Sequence, residues 1–266
     1  MIESNRNLEF ESMFISNYPN KSRAFLKIQD GCNQFCSYCI IPYARGNERS
    51  ESHTKLLKIA KDLSKNYKEI VLTGIHTGRY NDNGYNLYNL LCDLIKIKSL
   101  KIIRISSIEL NEVTDEIIDL ISNNPKIAPH LHIPVQALND HILMTMHRTY
   151  TLEEFKERIK YIRSKIKDIS ISTDLIVGFP GETSKIFKTY FNELDDIKFS
   201  FIHVFPYSKK NRTLAAGLKN QIDPNIKKQR VNQILQYEKD ITYKYQNRFI
   251  NTIMEVLVEE TRQTRE

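Results

Sequence analysis

Residues 30–46 read DGCNQFCSYCIIPYARG and hold three of the chain's four cysteines, Cys32, Cys36 and Cys39, in C-x3-C-x2-C spacing. The fourth, Cys92, lies in an apolar, helix-like stretch, where a buried and inert thiol is the ordinary outcome. Three crowded thiols form a ligand set rather than a disulfide framework. A structural zinc site takes four protein ligands. The candidates for a fourth are His53, at the start of the next helix, and Cys92. An iron–sulfur cluster on three thiolates instead leaves one iron open to a bound molecule, and the number three favours this reading. Zinc stays open as the alternative.

The segments around this loop set the fold class. RAFLKIQ (23–29) is strand-like and runs straight into the cysteines. TKLLKIAKDLSKN (54–66) has helical apolar spacing, and EIVLTGI (69–75) is a short apolar strand ending at glycine. LYNLLCDLIKI (87–97), TDEIIDLISN (114–123), TLEEFKERIKYIRSKI (151–166) and TSKIFKTYFNELDD (183–196) read as helices, the second and third with a threonine cap. KIIRISS (101–107), HLHIPVQ (130–136), SISTDLIVGFPGE (170–182) and FSFIHVFPY (199–207) read as strands. A long helix with proline in its first turn spans 223–249, and TIMEVLVEE (252–260) starts another strand. Six β-α units predict an α/β fold with a parallel sheet, either a partial (β/α)6 TIM-like barrel or an open doubly wound sheet. Ligands gather at the carboxyl ends of such strands. The cysteine loop, Gly74, SSIE (106–109), GFPGE (178–182) and FPYS (205–208) all fall there, so one mouth is expected to collect them.

Bulk properties agree. The 266 residues allow one large domain or two small ones, and 41% hydrophobic residues suffice for a sizeable core. No apolar run reaches the ~18 residues a membrane span needs. The start of the chain lacks the basic and apolar stretches of a secretion signal. These features point to the reducing cytoplasm. A net charge of +7 is compatible with a polyanionic partner.

The cysteine spacing, with aromatic Tyr38 before the last thiol, resembles the radical S-adenosylmethionine (SAM) motif. Further strings, KIQDGC, LTGIHTG, RISSIE, HLHIPVQ, MHRTYT, STDLIVGFPGET and HVFPYS, occur in the order found in tRNA methylthiotransferases. KIQDGC, GIHTG and SSIE are most similar to the branch acting on N6-threonylcarbamoyladenosine beside the anticodon. The resemblance covers about residues 21–260. It implies a 4Fe–4S cluster on Cys32, Cys36 and Cys39, with S-adenosyl-L-methionine chelating the open iron. Reductive cleavage would yield a 5′-deoxyadenosyl radical that takes hydrogen from C2 of the adenine ring. The implied partners are the tRNA anticodon stem-loop and a reductase or flavodoxin-type electron donor.

Other residues carry over from the resemblance as cofactor-binding positions. Tyr38 would lie near the adenine, Gly74 would let the backbone approach the methionine end, and Glu109 would meet the ribose. Arg148 would pair with the cofactor carboxylate, and Gln136 and Asp174 would point toward the mouth. Gly178, with Pro180 and Gly181, resembles the turn shaping the adenine pocket. His76, His130, His132 and His203 read as structural. Two departures stand out: ALND (137–140) replaces a Ser-Gly-Ser run, and Arg212 stands where a glycine is usual. Lost glycines can block a turn's geometry.

The expected organisation is an arm over 1–21, a radical SAM core with its C-terminal helix over 22–250, and the truncated start of a TRAM-like β domain over 251–266. Residues 1–22 hold no cysteine, whereas methylthiotransferases carry a second cluster in an N-terminal domain. The chain is therefore expected to be the central part of a longer enzyme and incomplete for sulfur insertion. The rival readings are another radical SAM enzyme with a small-molecule substrate, and a zinc-stabilised RNA-binding module. In the long helix, Lys227, Lys228, Arg230, Lys239, Lys244 and Arg248 are candidates for phosphate contact, while Tyr237, Tyr243 and Tyr245 read as packing residues.

Overall fold

The computed structural model describes residues 9–12, 15, 18 and 21–258. Its main strands are β1 (Arg23–Lys27), β2 (Glu69–Thr73), β3 (Ile102–Ile105), β4 (His130–His132), β5 (Ser170–Val177) and β6 (Phe201–Pro206). Its helices are α1 (Ile41–Arg45), α2 (His53–Leu63), α3 (Leu87–Leu94), α4 (Asp115–Asn123), α5 (Asp140–Thr145), α6 (Leu152–Lys165), α7 (Ser184–Ile197) and α8 (Pro224–Asn247). Threonines open three of them. Thr114, Thr151 and Thr183 accept from the backbone N–H groups of Ile117, Glu154 and Ile186, satisfying donors that a helix start leaves free. At α6 the Glu154 carboxylate also accepts from Thr151 N, closing a capping box. Asp223 and a first-turn proline start α8 in the same manner.

All pairings among these six strands are parallel. β1, β2 and β3 form one ladder, in register from Arg23–Glu69 and Glu69–Ile102. β4, β5 and β6 form a second, from His130–Ser170 and Phe201–Ser172. A bridge between Ile103 and Ile127 joins the two, with Ala128 N donating to Ile103 O at 2.9 Å. Spatial order thus follows chain order, as β-α repetition dictates, and among the described residues no ladder joins β6 to β1. The partial barrel expected from the sequence is the observed one.

Alternation along the strands divides two environments. Ala24, Leu26, Ile70, Leu72, Ile103, Ile105, Leu131, Ile171 and Leu175 are essentially fully buried and face the helices. The opposite positions face the lumen and are largely polar. There Glu69 pairs with Arg23 at 3.5 Å and Arg104 at 2.7 Å, and His132 lies 3.2 Å from Asp174. Phe201 and Phe205 on β6 remain exposed because no β1–β6 closure covers them.

Several expectations change. The end of the chain is not a strand within the described residues: 252–258 are irregular, and Val256 is 75% exposed. A strand needs a partner edge for its N–H and C=O groups. Here Ser22 Oγ donates to Val258 O at 2.7 Å, but no ladder forms; residues 259 and 260 lie outside the described residues. Within the arm, Tyr18 is tied to the core. Tyr18 N donates to Tyr67 Oη at 2.7 Å, and its ring packs edge-on against Phe25. ALND does not interrupt the fold, because Asn139 caps the short helix α5 through Ile142 N. Arg212 keeps a left-handed backbone at φ +71. On α8, Tyr237 and Tyr245 do pack, against Phe191 and Phe249, but Tyr243 is 66% exposed.

Candidate radical-cofactor site

The cysteine loop is pinned at its base. Asp30 is buried and meets Lys27 at 2.8 Å and Arg49 at 3.2 Å, with Arg45 Nε donating at 3.0 Å. Burial opposes its charge, but Arg45, Lys27 and the Gly31 N–H together hold its carboxyl far below the usual range. Cys32 N donates to Gly46 O and Cys39 N to Cys36 O, so the backbone folds the loop back on itself. Phe35, between the first two cysteines, takes a left-handed φ of +50. All three thiols are free and partly exposed.

They line one cavity of about 180 Å3. Tyr38, Glu109, Gln136 and Arg148 line the same cavity, so four of the seven further residues expected from the sequence converge with the cysteines. Ser107 and His76 join them. Gly74, Asp174 and Gly178 lie elsewhere. Gly74 sits against Gln29, 3.1 Å from it for an added Cβ, just before the lining residue Ile75. Asp174 faces the lumen beside His132. Gly178 has φ +72, and an added Cβ would lie 2.4 Å from Lys227 Cγ; its N–H donates to the buried Glu182 at 2.8 Å. Glu182 in turn accepts from Arg230 at 2.6 Å. The turn after β5 is thus locked beneath α8. The cavity draws on the loops after β1 to β4, not on all six, and Tyr207 after β6 is buried against Phe179.

Charge placement around the sulfurs is specific. Arg148, expected to pair with the cofactor carboxylate, is buried, and its side chain is 1% exposed. It forms an ion pair with Glu109, donates to Tyr150 Oη, and points Nη1 at Cys36 Sγ over 3.6 Å. Burial opposes its charge, and Tyr150 and Glu109 hold it protonated. Burial pushes the Cys36 thiol up, and the Arg148 cation counters this. Burial likewise raises the Cys39 thiol, against a hydrogen bond from the Ile41 backbone. Gln136 holds a left-handed φ of +67 while bridged to β5 through Asp174 O and Ile176 N. Such strain in a non-glycine residue costs roughly 1–3 kcal/mol and concentrates at functional sites. Tyr38 meets the buried Phe179 edge-on, with ring centroids 6.4 Å apart, and walls the cavity.

Sequence reading missed His76. It is buried, with Nδ1 3.4 Å from Cys32 Sγ and Nε2 2.7 Å from Glu112. Burial disfavours its charge, yet the Cys32 sulfur and the Glu112 carboxylate push it up to about 10. The signal lay in LTGIHTG, directly after the strand-end glycine. The two candidates for a fourth zinc ligand lie elsewhere. His53 bonds Asp82 at 2.7 Å and stacks on Tyr85, and Cys92 sits on α3.

Three cysteines on one polar cavity, Cys36 facing the buried Arg148 cation and Cys32 facing His76, suit thiolate ligands to an iron–sulfur cluster better than inert core thiols. The comparisons agree. Residues 26–194 match the Radical SAM superfamily model, and the chain belongs to that superfamily. It is 41% identical over 255 residues to threonylcarbamoyladenosine tRNA methylthiotransferase MtaB of Bacillus subtilis, covering 94% of this chain and 56% of that protein. It is 36% identical over 252 residues to tRNA-2-methylthio-N(6)-dimethylallyladenosine synthase of Hydrogenobaculum sp., covering 92% and 58%. The chain therefore spans a little over half the length of these relatives. Among solved structures it resembles the radical S-adenosylmethionine methyltransferase TsrM of Kitasatospora setae, with a TM-score of 0.61 and 14% identity over 74% of this chain and 39% of that one. At that identity the likeness speaks for the fold. Among the described residues, no helix is long and apolar enough to cross a membrane.

Proposed function

We propose that this chain holds a 4Fe–4S cluster on Cys32, Cys36 and Cys39, binds S-adenosylmethionine beside it, and contributes these to methylthio transfer onto tRNA. The nucleoside is N6-threonylcarbamoyladenosine next to the anticodon, modified at C2. The observation that carries the reading is the convergence of the three thiols with Tyr38, Glu109, Gln136 and Arg148 on one cavity. The higher identity to the Bacillus subtilis relative supports the choice of nucleoside.

When bound, the cluster and S-adenosylmethionine supply the one-electron chemistry needed to activate an inert C–H bond. The chain's residues bind and orient. Arg148 compensates thiolate charge at Cys36, and Glu109 fixes the Arg148 fork in place. Tyr38, backed by the buried Phe179, closes the apolar side of the cavity. Gly74, Asp174 and Gly178 act one layer further out: Gly74 shapes the turn carrying Ile75, Asp174 orients His132 in the lumen, and Gly178 anchors the turn beneath α8. The anticodon stem-loop and a reductase or flavodoxin-type electron donor are the partners this reading requires.

The test is anaerobic reconstitution with iron and sulfide, metal and sulfide quantification, and an electron paramagnetic resonance spectrum with and without S-adenosylmethionine. Four irons per chain and a spectral change on adding the cofactor are expected, with 5′-deoxyadenosine formed after reduction. Zinc without sulfide overturns the reading. Its seat would be Cys32, Glu48 and His76, whose ligand atoms lie within 4.8 Å of one another. Assaying 2-methylthio product on tRNA with this chain alone asks whether the described region suffices for sulfur insertion; the expected outcome is cofactor cleavage without that product.

A further inference from the structure

Behind Cys32 stands a second buried relay that the cluster reading does not by itself require. His76 sits between the Cys32 sulfur, 3.4 Å from Nδ1, and Glu112, 2.7 Å from Nε2. Glu112 is itself held by Arg79 Nε at 2.9 Å. Glu48 approaches Nδ1 at 3.6 Å, farther than the sulfur. The turn is shaped for this contact: a Cβ on Gly78 would lie 2.1 Å from the Glu112 carboxylate, so only a bare backbone lets that side chain reach His76. His76 N also donates to Gln29 Oε1 at 2.7 Å, which fixes the backbone from which the imidazole projects. The imidazole thus has Glu112 against Nε2 and a fixed backbone behind it, and its other ring nitrogen has the sulfur as its nearest partner.

We infer that His76, oriented by Glu112, donates a hydrogen bond to the Cys32 sulfur and thereby raises the reduction potential of the cluster carried on that thiolate. The inference rests on the cluster reading above. Its physical basis is simple. Reduction adds negative charge to the cluster and its sulfurs, and a donor aimed at a sulfur in a buried site stabilises the more negative form. Cys36 also has a donor beside it, Arg148, but that guanidinium is committed to Glu109 and Tyr150 and stands 3.6 Å from its sulfur. His76 is therefore a positioning residue acting on one ligand, and it is not a ligand itself.

The experiment is a potentiometric titration of the reconstituted protein, monitored by electron paramagnetic resonance, with iron and sulfide counted in each sample. In His76→Leu the reduced fraction at a fixed solution potential should fall about tenfold relative to the oxidised fraction, a downward shift of about 59 mV for one electron. Glu112→Gln should shift it in the same direction by less. His76→Asn, which returns an N–H near the position of Nδ1, should recover most of the change. Unchanged potentials across this series overturn the inference. So does a series in which His76→Leu loses iron while Glu112→Gln and His76→Asn keep the unaltered potential, since that assigns His76 to cluster retention alone. A parent protein that takes up no iron refutes the cluster reading instead, so the two failures are distinguishable.

Discussion

On β2, Ile70 and Leu72 face the helices and are fully buried, while Glu69 and Thr73 face the lumen, where Glu69 ties Arg23 to Arg104. The same alternation runs through β5: Ile171, Thr173, Leu175 and Val177 go to the helices, and Ser172 and Asp174 to the lumen. A closed barrel of this size fills its interior with side chains. This one has no ladder between β6 and β1 among the described residues, and its inner face carries polar groups paired with one another. Stability is therefore concentrated on the helix-facing side, and the lumen and mouth are free to carry chemistry.

The sharpest challenge to that division is the one charged pair among the described residues with both side chains almost wholly buried beneath a helix, Arg230 on α8 with Glu182. Glu182 is completely buried, and burial pushes its carboxyl up against the opposing effects of the Gly178 N–H and Arg230. Removing one member leaves an uncompensated charge, so Arg230→Ala should cost about 3–5 kcal/mol in urea unfolding. A cost below 1 kcal/mol would mean that water reaches Glu182 and that the outer layer is not dry there. Next in size comes the apolar side. Leu72→Ala removes a fully buried side chain and should cost about 2–5 kcal/mol. A loss under 1 kcal/mol would show that α2 and α3 collapse onto the gap.

How much of this the sequence disclosed follows the same division. Helix starts were legible because a cap and its partner lie three residues apart, as Thr151 and Glu154 do. The strands were legible from apolar runs, and the cysteines from spacing. What stayed hidden were pairings made by the fold: Arg230 with Glu182, separated by 48 positions, and His76 with Cys32 and Glu112. A lone histidine after a strand looks structural until the neighbouring loops are placed. Helix α5 was also hidden, since DHILMT is only 6 residues long, too short to show a helical period, and only the Asn139 side chain marks its start. The strand expected at 252–260 misled over its described part, 252–258, because apolar alternation says nothing about whether an edge is available to pair with.

The lumen side should reveal itself through pH. His130 is pressed down to about 4, chiefly by burial and then by the charges of Arg104, His132 and Arg23. A histidine depressed on folding must give up its proton to enter the fold. Its contribution is therefore intact above the ordinary value near 6.5 and is lost as pH falls from there toward 4. Unfolding midpoints should decline across that window, and His130→Gln should flatten the decline. Asp30, held far below its usual range, contributes only to the losses below about pH 4, so the two groups separate along the pH axis. An unchanged slope in His130→Gln would mean that the lumen is wet enough at β4 to solvate the charged ring.

Smaller effects test the boundary between the two sides. Thr151→Ala deletes the acceptor for Glu154 N at the start of α6 and should cost about 1 kcal/mol. Phe205→Ser should cost less, within about 0.5 kcal/mol, although it removes a larger apolar group. Phe205 is already 49% exposed on the inner face of β6, so truncation withdraws little area from the dry core and opens no cavity. Hydrophobic stabilisation follows the area removed from water rather than residue type. If Phe205→Ser instead matched Leu72→Ala, something in the folded chain would have to cover the open edge between β6 and β1, and the lumen would count as core.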